Sequence, residues 1–423
     1  MLINRRKNII NSIIVFIAII SLITSVTNLI PISASMFVLV LAIPVLILYN
    51  ETISKLALSL IVLLLYYIVL ILLYDPLALV KYDFYRRDGN VFITLAPLLI
   101  FSLSKIKSNY VKIVKFYILF STVLNAIFLI VFYITGGTIF IYEEGIYHFL
   151  FIAHNAAGGF LAMLSAMSLG YFWGTRNKIY LICTVINILG LYESDSRGSI
   201  LGLVMSVFIF LLINYRKYFL KVILTLLFVG QIFLVSWLYI NAPTDFLYRE
   251  DYYVDGISLE INRGGTIINR AFYLWPRAVY LFLNSPLFGT GFGSYNDIPY
   301  NLQGFKFFYY LNRPNIYIYS DGHAHHTFLH ILAETGIVGF ILLLYLLKQI
   351  YSFILIIEEQ SIKNGLHLAF WVAIISSLTE HRLFTPSQML PFFIILGIVF
   401  SDYRAKYYIN IKCKRLFDEK MTI

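Results

Sequence analysis

Long apolar runs separated by short polar segments dominate the pattern of this chain. A helix that crosses the hydrocarbon core of a bilayer needs about 20 predominantly apolar residues. Applied along the sequence, this length gives about twelve runs. They lie near 8–30, 32–49, 53–74, 90–106, 114–136, 156–174, 179–193, 200–215, 218–240, 327–350, 366–380 and 389–403. The pattern predicts an all-α, polytopic membrane protein that forms a single domain over 1–423, with one long loop at 241–326.

The composition supports this class of protein, because 60% of the residues are hydrophobic and only 13% are charged. Soluble domains do not have such a composition. The net charge of +10 comes from short basic clusters between apolar runs, so the lipid bilayer is the expected partner and nucleic acid is not. The clusters that define the predicted inner side are Lys105 with Lys107, Arg176 with Lys178, Arg216 with Lys217, and the tail from Arg404 to Arg415.

Basic loops remain on the cytoplasmic side of a membrane protein. Counting helices from an inside N-terminus places both termini in the cytoplasm and the loop 241–326 outside. Lys81, Arg86 and Arg87 fall on an outside loop and are an exception to this bias. The loops predicted to lie outside also contain the acidic segment Glu143–Glu144 and the triplet Glu380-His381-Arg382.

Four histidines at 323, 325, 326 and 330 stand where the long loop enters an apolar run that contains Glu334. Titratable groups next to a bilayer core are costly and usually functional. His326, His330 and Glu334 are spaced i, i+4, i+8 and share one helix face. Imidazole and carboxylate suit zinc, but the adjacent glutamate of a zinc-protease motif is absent and no other ligand cluster is evident. We therefore expect no metal and no cofactor.

Two further segments offer cations on the same predicted face. Arg197 lies in the turn Ser194–Ser199, where it either reaches the lipid headgroups or offers a planar fork to a phosphate. Residues 270–284, kinked by Pro276, are expected to form an amphipathic interfacial helix that carries Arg270 and Arg277. Each of these arginines alone is more often an interface anchor than a ligand.

Three short blocks, in this order, are similar to the motifs of one enzyme superfamily. The first is the turn Ser196–Gly198, which looks like a Ser/Thr-Arg-small loop. The second is Arg270 with Trp275, followed by the glycine-rich segment 285–293, which by itself favours a sharp turn re-entering the membrane surface.

The third block is His325-His326, followed by nine residues and then Gly336-Ile-Val-Gly339. It resembles a pattern of His, an amide or hydroxyl residue, nine residues, Gly, two residues and Gly; here His326 replaces the amide or hydroxyl. Together the blocks resemble the O-antigen polymerase/O-antigen ligase superfamily of lipid-linked glycan transferases. This resemblance implies a GT-C-like fold of about twelve helices with one long periplasmic loop.

The resemblance also implies the reaction: an inverting, metal-independent transfer of a glycan from undecaprenyl pyrophosphate at the periplasmic face of the bacterial inner membrane. His325 would be the general base, and Arg197 and Arg270 would neutralise the leaving pyrophosphate. Further residues that are expected to contact the substrate are His154, Arg277, His323, His326, Glu334 and Arg382. The expected protein partners are a chain-length regulator and a repeat-unit flippase of lipopolysaccharide biosynthesis.

The sequence leaves two possible acceptors for the glycan, and it also leaves one other class of function to consider. An O-antigen polymerase transfers the growing polysaccharide to another lipid-linked repeat unit, whereas a ligase transfers it to the lipid A core. The departure at His326 favours the polymerase. A secondary transporter would instead place polar residues near the middle of its helices, in two repeated halves. In this chain they gather at helix ends on one predicted face.

Overall fold

The computed structural model describes residues 2–27, 40–48, 52–81, 84–85, 88–137, 145–151, 153–215, 224–225, 227–233, 270, 274–295 and 323–421. Within these residues the regular structure is helical, with no strand. The helices are α1 (Leu2–Thr27), α2 (Ala42–Leu48), α3 (Lys55–Tyr74), α4 (Asn90–Leu103), α5 (Tyr110–Thr135), α6 (His154–Thr175), α7 (Lys178–Glu193), α8 (Arg197–Tyr215), α9 (Trp275–Asn284), α10 (Thr327–Ile356), α11 (Gln360–Ser376) and α12 (Pro386–Met421). A 3₁₀ helix, Pro76–Val80, follows α3.

The helices confirm a polytopic helical membrane protein. In the described part of the chain, five of them are long and apolar enough to cross a membrane: α3, α5, α6, α10 and the Pro386–Tyr407 part of α12. Shorter apolar helices lie at Ile9–Ser25, Asn90–Leu103 and Arg197–Ile213. The total of about twelve crossings stays a prediction.

Side-chain caps explain several helix boundaries. The Ser54 hydroxyl accepts a hydrogen bond from the Ala57 amide at 3.0 Å and begins α3. The Asn109 side chain accepts from the Lys112 amide and begins α5. Helix α5 ends at Gly136, which has the left-handed φ of 60° that favours glycine.

The centre of the bundle is formed by α6 and α11, which also contact α8. Gly170 of α6 lies directly against Gly365 of α11, and a Cβ at Gly170 would overlap the Gly365 amide. Such close approach of two backbones through small residues is how helices associate where lipid removes the hydrophobic driving force. The starts of α6 and α8 are thereby held beside the end of α11.

The two ends of this bundle are held together by different polar contacts. One end of the bundle, which we call the polar end, is formed by the starts of α6, α8, α10 and α12 and by the end of α11. There Arg382, in the turn between α11 and α12, donates a hydrogen bond to the Asn155 carbonyl at the start of α6. At the opposite end, Arg404 donates to the Thr52 carbonyl at 2.6 Å, and Lys406 pairs with Asp402 at 2.9 Å. Arg404 and Lys406 belong to the basic tail that the sequence analysis assigns to the inner side.

Helix α10 is interrupted at Gly336, whose φ of 62° and ψ of −167° are not helical. The interruption leaves backbone groups of α10 without partners inside the helix, and the segment 286–291 supplies them. Thr290 and Gly291 donate amides to the carbonyls of Ala333 and Glu334, at 3.0 and 3.1 Å. In return, the amides of residues 337 and 338 donate to the carbonyls of residues 286 and 287, at 2.9 and 3.2 Å.

The glycine-rich segment is therefore not simply a turn at the membrane surface, as the sequence suggested. It forms backbone hydrogen bonds with α10 on both sides of the interruption at Gly336. Gly289 and Gly336 both have positive φ, and a Cβ at either would overlap the backbone of the other segment. The two segments fit together because both positions are glycine.

Residues 270–284 also differ from the sequence expectation. The helix begins at Trp275, and Pro276 lies in its first turn. A proline there begins a helix rather than kinking it, since the amide that it lacks would have no intrahelical partner. The helix packs against α10, and the Arg277 side chain is only 1% exposed, so it is buried within the protein.

Several sequence predictions lie outside the described residues. They concern the greater part of the loop 241–326, the basic residues at 86–87 and 216–217, the acidic residues at 143–144, and most of the predicted crossing 218–240.

Gly336→Ala should lower the thermal stability of the purified protein. The left-handed backbone costs a non-glycine residue about 1–3 kcal/mol, and the added methyl overlaps the Leu287 carbonyl. The measurement is the melting temperature in detergent, with Gly230→Ala as the control, because a Cβ at Gly230 meets nothing within 4 Å. Equal melting temperatures for the two variants would contradict the close contact between the segment 286–291 and the interruption of α10.

Candidate functional site

His326 begins α10 as its N-cap residue. Its Nδ1 accepts a hydrogen bond from the Leu329 amide at 3.2 Å, which is the role an Asn or Ser side chain has at this position of a helix. Burial lowers the pKa of His326 to about 3, so the ring stays neutral and keeps its acceptor nitrogen. The residue that departs from the family pattern thus caps the helix as an amide or hydroxyl side chain would, with its Nδ1 bound to the backbone.

His325, the preceding residue, is turned toward the end of α11. Its φ of 47° is left-handed, which is unusual for a residue other than glycine. Its Nδ1 lies 2.9 Å from Oε2 of Glu380, and its side chain is 20% exposed. If Nδ1 carries the proton that this carboxylate accepts, a neutral His325 has its lone pair on Nε2.

Glu380 joins His325 to Arg270. Nη2 of Arg270 donates to Oε1 of Glu380 at 2.7 Å, and Nη1 donates to the Thr379 carbonyl at 2.9 Å. One carboxylate therefore holds the predicted base and one of the predicted cations side by side. Both of these side chains remain partly exposed, while Glu380 is buried beneath them.

The surroundings of Glu380 keep it ionised. Burial alone would raise its pKa, but the hydrogen bond with His325 and the charges of Arg382 and Arg270 lower the pKa below its usual range. An ionised Glu380 stabilises a positive charge that develops on His325. The arrangement is that of a histidine oriented by a buried carboxylate, which suits general-base chemistry.

Two more histidine rings lie against this pair. The rings of His323 and His325 are 4.5 Å apart, and His323 stacks on His381 at 4.9 Å. Burial, together with the neighbouring His330, His323 and His325, lowers the pKa of His381 well below its ordinary value. His381 is thus neutral at physiological pH, so the adjacent rings of His325, His323 and His381 are not all positively charged.

The other predicted cations have different positions. Arg382 is 3% exposed; its guanidinium donates to the Asn155 carbonyl and to the hydroxyls of Ser196 and Ser199, both at 3.4 Å. It holds the turn before α8 in place. The Arg197 side chain is 70% exposed, and its Nε lies 3.9 Å from Asp195.

Arg197 begins α8 close to the Glu380 turn. A Cβ on its neighbour Gly198 would lie 2.7 Å from the Thr379 hydroxyl, so the absence of a side chain at Gly198 permits this close contact with the turn after α11. His154 begins α6 at the same end and is partly exposed, with its ring 6.1 Å from that of His148.

Arg277 and Glu334 are buried away from the exposed surface of the site. Arg277 lies over the Tyr295 ring at 4.9 Å. Glu334 is 0% exposed, and its Oε1 accepts from the Tyr295 amide at 3.0 Å. Both side chains stabilise the segment that precedes 296, and neither lines an open surface in this structure.

An apolar cavity of about 490 Å³ lies between the helical residues 224–225 and 227–229 and the helices α10 and α11. Its lining includes Phe328, next to the start of α10, and Leu378, two residues before Glu380. A hydrophobic chain in this cavity would end beside the His325–Glu380–Arg270 cluster.

Comparison with known families finds a match that covers part of this arrangement. Residues 182–344 match the family model described as O-Antigen ligase. The chain carries an O-antigen ligase-type domain. The match covers Arg197, Arg270 and His325 and confirms the resemblance to the O-antigen polymerase/ligase superfamily. No curated protein matches the chain.

Glu380 and His381 were not predicted as site residues of this O-antigen ligase-type domain. Both lie beyond the matched region, in the turn after α11. The sequence did contain a signal, because an acid, a histidine and an arginine stand together on one predicted outer loop. The predicted run 366–380 counted Glu380 as the end of a helix, whereas α11 ends at Ser376 and leaves Glu380 free to turn toward His325.

Glu380→Gln should destabilise the protein in a pH-dependent way. The lowered pKa means that the ionised carboxylate stabilises the fold above the ordinary glutamate pKa of about 4.3; this stabilisation is lost as pH falls through the folded-state pKa. The variant should lose about 3 kcal/mol near pH 7, because buried Arg382 and nearby Arg270 lose a counter-charge, and the difference should shrink below about pH 4. Melting temperatures across this range provide the measurement.

The matched control for Glu380→Gln is Glu358→Gln, which changes an exposed glutamate at the opposite end of α11. It should melt like the wild type at every pH. A Glu380→Gln protein that is as stable as wild type at pH 7 would show that Glu380 does not hold Arg270 and His325.

Proposed function

We propose that this protein is an O-antigen polymerase that transfers undecaprenyl-pyrophosphate-linked oligosaccharide repeat units to build a surface polysaccharide. The observation that carries the proposal is the cluster of His325, Glu380 and Arg270 at the start of α10, within and next to the O-antigen ligase match. The cluster unites an oriented base with a cation, which are the two groups that a glycosyl transfer from a pyrophosphate requires.

In the proposed reaction, a sugar hydroxyl of the acceptor attacks the anomeric carbon of the donor. The new carbon–oxygen bond forms as the bond from that carbon to the pyrophosphate breaks, with inversion. Nε2 of His325 takes the hydroxyl proton, and Glu380 stabilises the resulting imidazolium. Arg270 and the exposed Arg197 neutralise the departing pyrophosphate, so the transfer needs no metal ion.

The apolar cavity next to Phe328 and Leu378 supports a lipid-linked donor. The polyprenyl chain would lie against α10 and α11, with its pyrophosphate at the polar end of the bundle. His154, His323 and the buried Arg382, which anchors the turn before α8, would complete the surroundings of the glycan and pyrophosphate. The polar end would face the periplasm in a multi-pass protein of the inner membrane with both termini in the cytoplasm, as the basic clusters at the opposite end favour.

An O-antigen ligase, which transfers the finished polymer to the lipid A core, is the second candidate and is favoured by the description of the matching family model. Both reactions use the same donor and the same cluster. The role of His326 as a helix cap removes the reason to read its departure as a mark of either enzyme, so the acceptor must be identified by experiment.

The lipopolysaccharide of a deletion strain distinguishes the two enzymes. Loss of the polymerase should abolish the O-antigen ladder while one repeat unit remains attached to the core. Loss of a ligase should leave no repeat unit on the core. The control is complementation with the wild-type gene, and an unchanged ladder in the deletion strain would exclude both functions.

His325→Ala should lower the turnover of lipid-linked repeat units by about 10²–10⁴-fold, the contribution of a positioned acid–base group. His325→Gln should not restore it, because glutamine cannot accept the proton at neutral pH. The measurement is the initial polymerisation rate, normalised to the amount of each variant in the membrane.

His323→Ala and His326→Ala are the matched controls and should have smaller effects, since the proposed reaction gives the hydroxyl proton to His325, and His326 caps α10. A near-normal rate for His325→Ala at normal abundance would remove His325 as the base.

A further inference from the structure

A second cluster of titratable groups lies deeper in the bundle and has no role in the proposed transfer. Asp88, just before α4, meets His330 and Glu334 of α10, so that one ligand atom of each lies within 4.8 Å of the other two. His330 is 2% exposed and Glu334 is 0% exposed, while the Asp88 side chain is 13% exposed. Three residues from two distant parts of the sequence thus converge at a buried point.

The two distances from His330 to the carboxylates are those expected between ligands of one ion. Nε2 of His330 lies 3.5 Å from Oδ1 of Asp88 and 3.4 Å from Oε2 of Glu334. Both distances exceed the range of about 2.7–3.2 Å for an N–H···O hydrogen bond. Ligands about 2.1 Å from a tetrahedral zinc ion are about 3.4 Å apart. A single ring nitrogen that faces two carboxylates at this separation is placed to share a cation with them.

The orientation of Glu334 supports the same reading. The Tyr295 amide donates to Oε1 at 3.0 Å and fixes the carboxylate plane. Oε2, which points at His330, is fully buried and accepts no hydrogen bond from any described residue. A buried carboxylate oxygen without a partner is costly, and a coordinated cation removes that cost. The His330 ring is held in place by Tyr295 at 5.1 Å and His381 at 4.8 Å.

We propose that Asp88, His330 and Glu334 bind one divalent transition-metal ion of the zinc type, which links the segment before α4 to the first half of α10. One imidazole and two carboxylates suit zinc or manganese better than magnesium or calcium, which prefer oxygen ligands alone. The cluster differs from the spacing that the sequence suggested, because Asp88 takes the place of His326. The ion is structural and does not take part in the transfer at His325.

The site would stabilise α10 where it is weakest. Glu334 is two residues before the break at Gly336, and its carbonyl already accepts from Gly291. A cation there would fasten the broken end of the half-helix to the start of α4, so its loss should be measurable as a loss of stability.

The test is the metal content of the full-length protein, purified in detergent without a polyhistidine tag or chelator and dialysed against metal-free buffer. Elemental analysis should find about one equivalent of zinc or manganese, or the dialysed protein should bind one equivalent of added Zn²⁺ with a rise in melting temperature. Asp88→Asn should abolish both the binding and the rise. Added Mg²⁺ should not reproduce them.

Asp75→Asn is the control, because Asp75 is an acid outside the cluster that pairs with Lys81 at 2.6 Å; this variant should bind the ion like the wild type. The proposal is overturned if the wild type neither contains nor binds the ion, or if Asp88→Asn binds it equally. A protein that melts lower as Asp88→Asn but responds to neither Zn²⁺ nor chelator would contain only an ion pair with protonated His330, which also overturns it.

Discussion

The break of α10 at Gly336 is the constraint on which the rest of the polar end depends. Backbone groups inside a membrane protein must find partners within the protein, and here four of them find partners in the segment 286–291. The first half of α10 is therefore a short, separately anchored helix. Its start holds His325 and His326, and its end holds Glu334. This exchange fixes one end of the half-helix, and Thr327 fixes the other by donating its amide to the Ser377 carbonyl at 2.9 Å.

Glu380 connects the start of α10 to Arg270, because its carboxylate contacts both His325 and Arg270. Because α11 ends at Ser376, the turn that follows it brings one carboxylate under both His325 and Arg270. A buried carboxylate without cations around it would be protonated, and a histidine without the carboxylate would have no fixed orientation. Each group thus depends on the other, and Arg382 reinforces both by holding the turn before α8 against Asn155.

The sequence predicted the parts of this structure that are encoded locally. Hydropathy identified the helices, the basic clusters identified the end opposite the site, and the spacing from His325 to Gly336 identified the family. What escaped prediction is long-range: the pairing of the glycine-rich segment with the break in α10, the contact of Glu380 with His325, and the approach of Asp88 to His330. No local pattern encodes these contacts, because each depends on how two helices pack. Pro276 was misread for a local reason, since a proline begins or breaks a helix according to where the first turn lies.

The half-helix also connects the two clusters of the polar end. His325 stands at its start, and His330 and Glu334 face inward one and two turns later, with the His381 ring between the exposed and the buried groups. A rigid segment that is fixed at both ends holds the first histidine in place more firmly than a flexible loop does. The buried cluster therefore contributes to the exposed one through geometry: a contact that holds Glu334 near Asp88 also limits the movement of His325 away from Glu380.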